Sequence, residues 1–222
     1  MKEKTPTIAI LGDSITEGVG ASDKAHAFPS VLADLTGFHV LNYGISGTRI
    51  ARQLHPSAAI DFDQDFLLRA PKMDPTADFV IVFGGTNDFG HGDAPLGEKG
   101  ERTPWTFYGA VRLLGEGLIK TYGRDKLVFL LPLPRYQQDS IHGDGTKGGV
   151  NAPLSTYIGI LKEVLGDLQI AFIDFSKDFP EPKDMSNSGY FADGLHPNDA
   201  GARHLAELFK SYLASRGFPA KK

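Results

Sequence analysis

The sequence predicts the α/β class: a parallel β-sheet between two layers of helices, a three-layer sandwich, in one domain spanning residues 1–222. Two observations carry that expectation. Five short runs are apolar throughout rather than alternating, with β-branched or aromatic residues recurring, the pattern of strands covered on both faces. Helical patterns fall between the runs, so strand and helix alternate, with no internal repeat, low-complexity tract or linker to divide the chain.

The first run, TIAILGD at residues 7–13, opens the sheet, and FPSVLADLTG at 28–37 reads as a helix stopped by Gly37. FHVLNYG at 38–44 is the second strand. The segment 50–75 is the least patterned, and one or two short helices over the sheet edge are expected there. DFVIVFGG at 78–85 is the third strand. The helix over 103–123 takes Thr103 as N-cap, Pro104 as its first residue and Gly123 as its stop. KLVFLLPLP at 126–134 is the fourth strand, a helix starts at Asn151, and QIAFIDF at 169–175 is the fifth strand. The last helix starts at Pro197 and ends at Gly217. Two connections, 89–102 and 135–150, are longer than such a fold needs; both leave the carboxyl ends of strands, where open α/β sheets bind ligands.

Composition narrows the function classes. With 41% hydrophobic and 23% charged residues, a core of useful size is available without disulfides or structural metal. The net charge of -4, without a long basic run, leaves no footprint for nucleic acid or a membrane surface. The absence of cysteine excludes disulfides, thiolate metal sites and a cysteine nucleophile. No apolar stretch is long enough to span a bilayer, and the N-terminus lacks the apolar core of a signal peptide, so a cytoplasmic location is expected.

The chemistry begins with DGLHP at 193–197. Asp193 and His196 can meet in a simple turn, and Pro197 holds His196 extended. A histidine held by a carboxylate is a base in want of a nucleophile, and Ser14, in the strand-to-helix turn GDSITEG, supplies a hydroxyl. Attack on an ester also needs donors for the oxyanion. The N–H of Ser14, the N–H of Gly44 in NYGISG, and the side-chain amide of Asn87 in GGTND are the candidates. Asp13 and Asp88 flank these positions and read as structural, bonding nearby backbone. His204, on the last helix, reads as a surface or packing residue. His91 and His142, in the long connections, are weaker candidates for substrate contact, and Trp105, Phe89 and Tyr190 read as core residues near the crevice. DFDQD at 61–65 alternates acids like a calcium loop but has Phe66 and Lys72 where glycine and glutamate would stand, so a solvated acidic turn is expected.

Four blocks in order, GDSI, NYGISG, GGTND and DGLHP, each after a predicted strand, resemble those of the SGNH hydrolase family, the GDSL-type esterases and lipases. The resemblance implies a flavodoxin-like five-stranded parallel sheet of order 2-1-3-4-5, a serine acyl-enzyme mechanism, and neither cofactor nor metal. It assigns Ser14, Asp193 and His196 to catalysis and Ser14, Gly44 and Asn87 to the oxyanion hole, with the aspartate sometimes less critical than in other triads. The expected function is a serine ester hydrolase acting on a small-molecule acyl ester, with acetylated carbohydrates or short acyl groups favoured, and with neither nucleic-acid partner nor membrane insertion. The alternatives are a lysophospholipase, thioesterase or acyltransferase of the same chemistry, and a non-catalytic flavodoxin-like binding module.

Overall fold

A computed structural model describes residues 4–145, 150–187 and 189–218. Five strands form one parallel sheet: β1 (Thr7–Gly12), β2 (His39–Gly44), β3 (Phe79–Phe83), β4 (Leu127–Leu130) and β5 (Ala171–Ile173). Their order is β2-β1-β3-β4-β5. The chain therefore leaves β1 to one side and returns as β3 on the other, a topological switch point. Gly12 is level with Gly44 on one side and Phe83 on the other, so the turns after β1, β2 and β3 open at one edge.

Alternation sorts the central strands between two cores. Ala9, Leu11, Val80, Val82, Leu127 and Phe129 belong to one cluster. Ile8, Ile10, Phe79, Ile81, Val128 and Leu130 belong to the other. Cover on both faces holds for these three strands only. β2 and β5 lie at the edges and are partly open, with Phe172 39% exposed. No residue of either edge strand is fully buried, so their apolar runs overstate their burial.

The described α-helices are α1 (Ser14–Glu17), α2 (Phe28–Thr36), α3 (Phe66–Arg69), α4 (Thr86–His91), α5 (Phe107–Tyr122), α6 (Leu154–Asp167) and α7 (Asp199–Ser215). Helix α2 ends at Gly37, at φ 73°, as its sequence predicts. Three helix starts differ from the sequence reading, two of them because another residue supplies the cap. Thr106, not Thr103, caps α5 by accepting from the N–H of Gly109 at 3.2 Å. Helix α6 starts at Leu154, after Pro153 rather than at Asn151. Asn198 caps α7 through the N–H of Gly201 at 3.0 Å, leaving Pro197 outside the helix.

Residues 50–75 hold α3 between two short 3₁₀ turns, Ile60–Asp63 and Ala70–Lys72. Phe66 is fully buried among Leu11, Val80 and Val82, so this segment covers a sheet face rather than the edge. Burying such a ring is worth about 1.5–3 kcal/mol, enough to pin an otherwise unpatterned stretch. The acidic run is structural: Asp63 accepts from the N–H of Ser57, and Asp65 caps α3 through Leu68. Helix α4 occupies the start of what reads in sequence as an irregular connection from residue 89. No described helix is long and apolar enough to cross a membrane.

Candidate active site

Ser14 opens α1, where Asp13 acts as cap by accepting from the N–H of Ile15 at 3.1 Å. The Ser14 side chain is almost fully enclosed, at 6% exposure for the residue. His196 comes from the far end of the chain, in a loop closed by a bridge between Phe191 and Pro197. Its Nε2 lies 2.9 Å from Ser14 Oγ, and its Nδ1 lies 2.7 Å from Asp193 Oδ2. The other oxygen of Asp193 accepts from the N–H groups of His196 at 2.8 Å and Leu195 at 3.1 Å. Burial raises the Asp193 pKa, but those two N–H groups and the imidazole outweigh it and hold the carboxyl below its ordinary range. A carboxylate only accepts, so Nδ1 carries the proton and Nε2 is left to accept from the serine hydroxyl.

Two close approaches hold this arrangement. Gly20, at φ 94°, lies against His196; a Cβ there would fall 2.7 Å from that of the histidine. Arg69, 5% exposed, donates to the carbonyls of Gly12 at 3.0 Å and Tyr43 at 2.6 Å and to the Thr48 hydroxyl at 2.8 Å. It thereby joins the ends of β1 and β2 behind the serine.

The structure brings Asn87 to the same edge on α4, its Nδ2 donating to the Thr48 carbonyl at 3.0 Å. Gly44 is different. Its N–H donates to Asn42 Oδ1 at 2.8 Å, so it is not a free oxyanion donor. The residue is glycine for space: a Cβ would lie 2.2 Å from the Glu17 nitrogen. Gly47, three residues on at φ 72°, has an N–H without a partner among the described residues, as does Ser14. NYGISG holds two glycines, spacing alone does not rank them, and the sequence reading chose Gly44.

Asp13 and Asp88 are structural, as their motifs suggest. Asp88 accepts from the N–H groups of Ile50 at 3.0 Å and Ala51 at 2.9 Å, clamping the chain after β2 to α4. Burial pushes Asp13 up to about 7 and Asp88 up to about 6. His204 stacks on Tyr190 with ring centroids 4.6 Å apart, away from the serine's partners. Phe89 is core, His142 is exposed, and Trp105 is exposed with Arg52 over its ring. Arg135, 5% exposed, was not foreseen. It donates to the Thr86 carbonyl and hydroxyl and pairs with Asp144, tying the second long connection to α4. A cavity of about 340 Å³ beside His196 is lined by Arg135, Tyr136, Gln137, Asp144 and Met185, among others. No group of three or more metal-ligating side chains occurs among the described residues.

Comparison with known proteins follows the same lines. No curated protein matches the sequence. Among solved structures, a protein from Lactobacillus plantarum is 27% identical, with a TM-score of 0.75, covering 96% of this chain and 98% of that one. A lipase/acylhydrolase from Enterococcus faecalis is 21% identical with a TM-score of 0.65, covering 98% and 100%. A carbohydrate acetylesterase family member from Sinorhizobium meliloti is 18% identical with a TM-score of 0.64, covering 96% and 99%. The last two share the fold. The family model for GDSL-like lipases and acylhydrolases matches residues 10–204, a span that takes in all four sequence blocks and the Ser14–His196 contact. The chain belongs to the GDSL-like Lipase/Acylhydrolase family.

Proposed function

We propose that the protein is a serine ester hydrolase that works through an acyl-enzyme on small acyl esters, with acetylated carbohydrates the favoured class. The observation that carries this reading is the Ser14–His196 contact at 2.9 Å with Asp193 on the opposite imidazole nitrogen at 2.7 Å. His196 takes the hydroxyl proton as Ser14 Oγ attacks the ester carbonyl. Negative charge builds on the carbonyl oxygen, where the N–H groups of Ser14 and Gly47 and the amide of Asn87 receive it. His196 then passes its proton to the leaving alcohol, and water repeats the sequence to free the acid. Each such donor is typically worth ~10²–10³ in turnover.

The cavity beside His196 supports a polar alcohol. Arg135, Gln137, Asp144 and Asp193 among its walls offer hydrogen bonds to hydroxyls, while Tyr136, Met185 and Leu195 offer apolar cover for a short acyl group. The acetylesterase from S. meliloti has the same fold, which makes acetylated sugars the first panel to test. Ser14→Ala is the direct test. It should abolish turnover of p-nitrophenyl acetate, leaving at most the ~10³–10⁴ over water that binding and oxyanion donors provide in serine proteases. It should also block labelling by a fluorophosphonate. Undiminished turnover in this variant would rule the mechanism out, and faster cleavage of long acyl esters than of acetylated sugars would rule out the substrate class.

A further inference from the structure

Beyond the serine, histidine and aspartate, one hydrogen-bonded chain runs through the other half of the site. Arg49, 5% exposed, donates through one terminal nitrogen to His91 Nδ1 at 2.7 Å. The Nε2 of His91 lies 3.2 Å from Asn87 Oδ1, and Asn87 Nδ2 donates to the Thr48 carbonyl at 3.0 Å. The chain begins at a group that only donates and ends at one that only accepts. A single arrangement of protons satisfies every link. Nδ1 of His91 accepts, its Nε2–H donates to Asn87 Oδ1, and the amide nitrogen of Asn87 faces Thr48. One amide hydrogen is used there and the second is left for the crevice.

We propose that His91 and Arg49 are positioning residues, which hold the Asn87 amide in the one orientation that presents a donor to the oxyanion. The inference rests on the reading of Asn87 as an oxyanion donor. Free asparagine amides turn over readily, and the reversed amide would offer the developing charge an oxygen. Here reversal would break the bonds to both Thr48 and His91. Burial, helped by the Arg49 charge, lowers His91 to about 4, which keeps the ring neutral and the chain polarity intact at neutral pH. Arg49 is itself braced by the Ser57 hydroxyl at 2.8 Å and by Asp63 at 3.7 Å. Phe62 fits the same assembly. Its ring lies 5.8 Å from that of His91 and packs over Gly47, where a Cβ would come within 2.3 Å of it.

The test is a mutant cycle read as kcat and KM for p-nitrophenyl acetate. His91→Asn keeps an oxygen for Arg49 but is too short to reach Asn87, and His91→Phe removes both contacts. Each should lower kcat by about 10–100-fold, short of the full loss of a donor, with KM changed little. In an Asn87→Ala background the same substitutions should cause no further loss. His91→Gln, whose amide spans the gap with the same polarity, should restore most of kcat. Equal losses in both backgrounds, or no loss in either, would overturn the positioning role while leaving the donor role of Asn87 intact. An Asn87→Ala enzyme with undiminished kcat would instead overturn the underlying reading. If the phenylalanine variant does not fold, the asparagine and glutamine pair decides the matter.

Discussion

Asparagine at position 193 should slow the enzyme more than alanine does, an inversion of the usual ranking of conservative and drastic changes. Asp193 Oδ1 accepts from two backbone N–H groups, those of Leu195 and His196, while Oδ2 faces the imidazole. An amide has one oxygen. Keeping it on the two N–H groups turns the NH2 toward His196 Nδ1, which must then accept, so the ring proton moves to Nε2 and the base can no longer take the serine proton. Reversing the amide forfeits two backbone hydrogen bonds, about 1–3 kcal/mol in all. Both variants also lose the carboxylate that steadies the imidazolium. With the Asp193 side chain 43% exposed, that attraction is about 1–4 kcal/mol, between the limits for water and a protein surface. Alanine should therefore lower kcat/KM for p-nitrophenyl acetate by about 10–10³-fold, water replacing the lost acceptor at Nδ1. Asparagine should fall a further ~5–100-fold below it, given 1.4 kcal/mol per factor of ten. Thermal melting would confirm that both variants fold. An asparagine enzyme as fast as the alanine one, or faster, would refute the tautomer argument.

Other expectations concern stability. Asp88→Ala strands the buried N–H groups of Ile50 and Ala51, and denaturant titration should show a loss of about 2–6 kcal/mol. Asp13, at about 7, and Asp88, at about 6, lie above the ordinary 3.8, so the stability they contribute is full below pH 3.8 and is lost as pH rises through 6 and 7. Asp13→Asn keeps an acceptor for Ile15 and removes that charge, so the variant should gain on the wild type by about 3 kcal/mol between pH 5 and 8. A difference independent of pH, or one of opposite sign, would contradict this. Gly44→Ala drives a methyl into the backbone at Glu17 and should lower both melting temperature and turnover, whereas Gly117→Ala, with open space around it, should do neither.

The parts of the molecule legible in the sequence are those set by local rules. Strand positions followed from continuous apolar runs, and the stops at Gly37 and Gly123 from backbone that glycine adopts most easily. Asp193 and His196 were legible because a three-residue turn fixes their meeting. Helix starts were missed where two capping residues compete, as with Thr103 and Thr106. Arg49, Arg69 and Arg135 were invisible for a different reason. Each is a charged residue whose worth lies in partners far along the chain, such as Gly12, 57 residues from Arg69. Nothing in the surrounding letters marks an arginine as buried, and a surface position is the ordinary expectation. Gly44 and Gly47 were separable only once the hydrogen bond from Gly44 to Asn42 was known.

The hydroxyl and the imidazole are separated by 182 positions, and the helix that follows the imidazole packs on α2, close behind the hydroxyl. A polypeptide still leaving the ribosome can hold all five strand sequences and yet lack the imidazole that faces Ser14, and α7 must then cover one face of the sheet. In a refolding experiment, the onset of turnover would then time the docking of this last helix. It would say little about when the strands had paired.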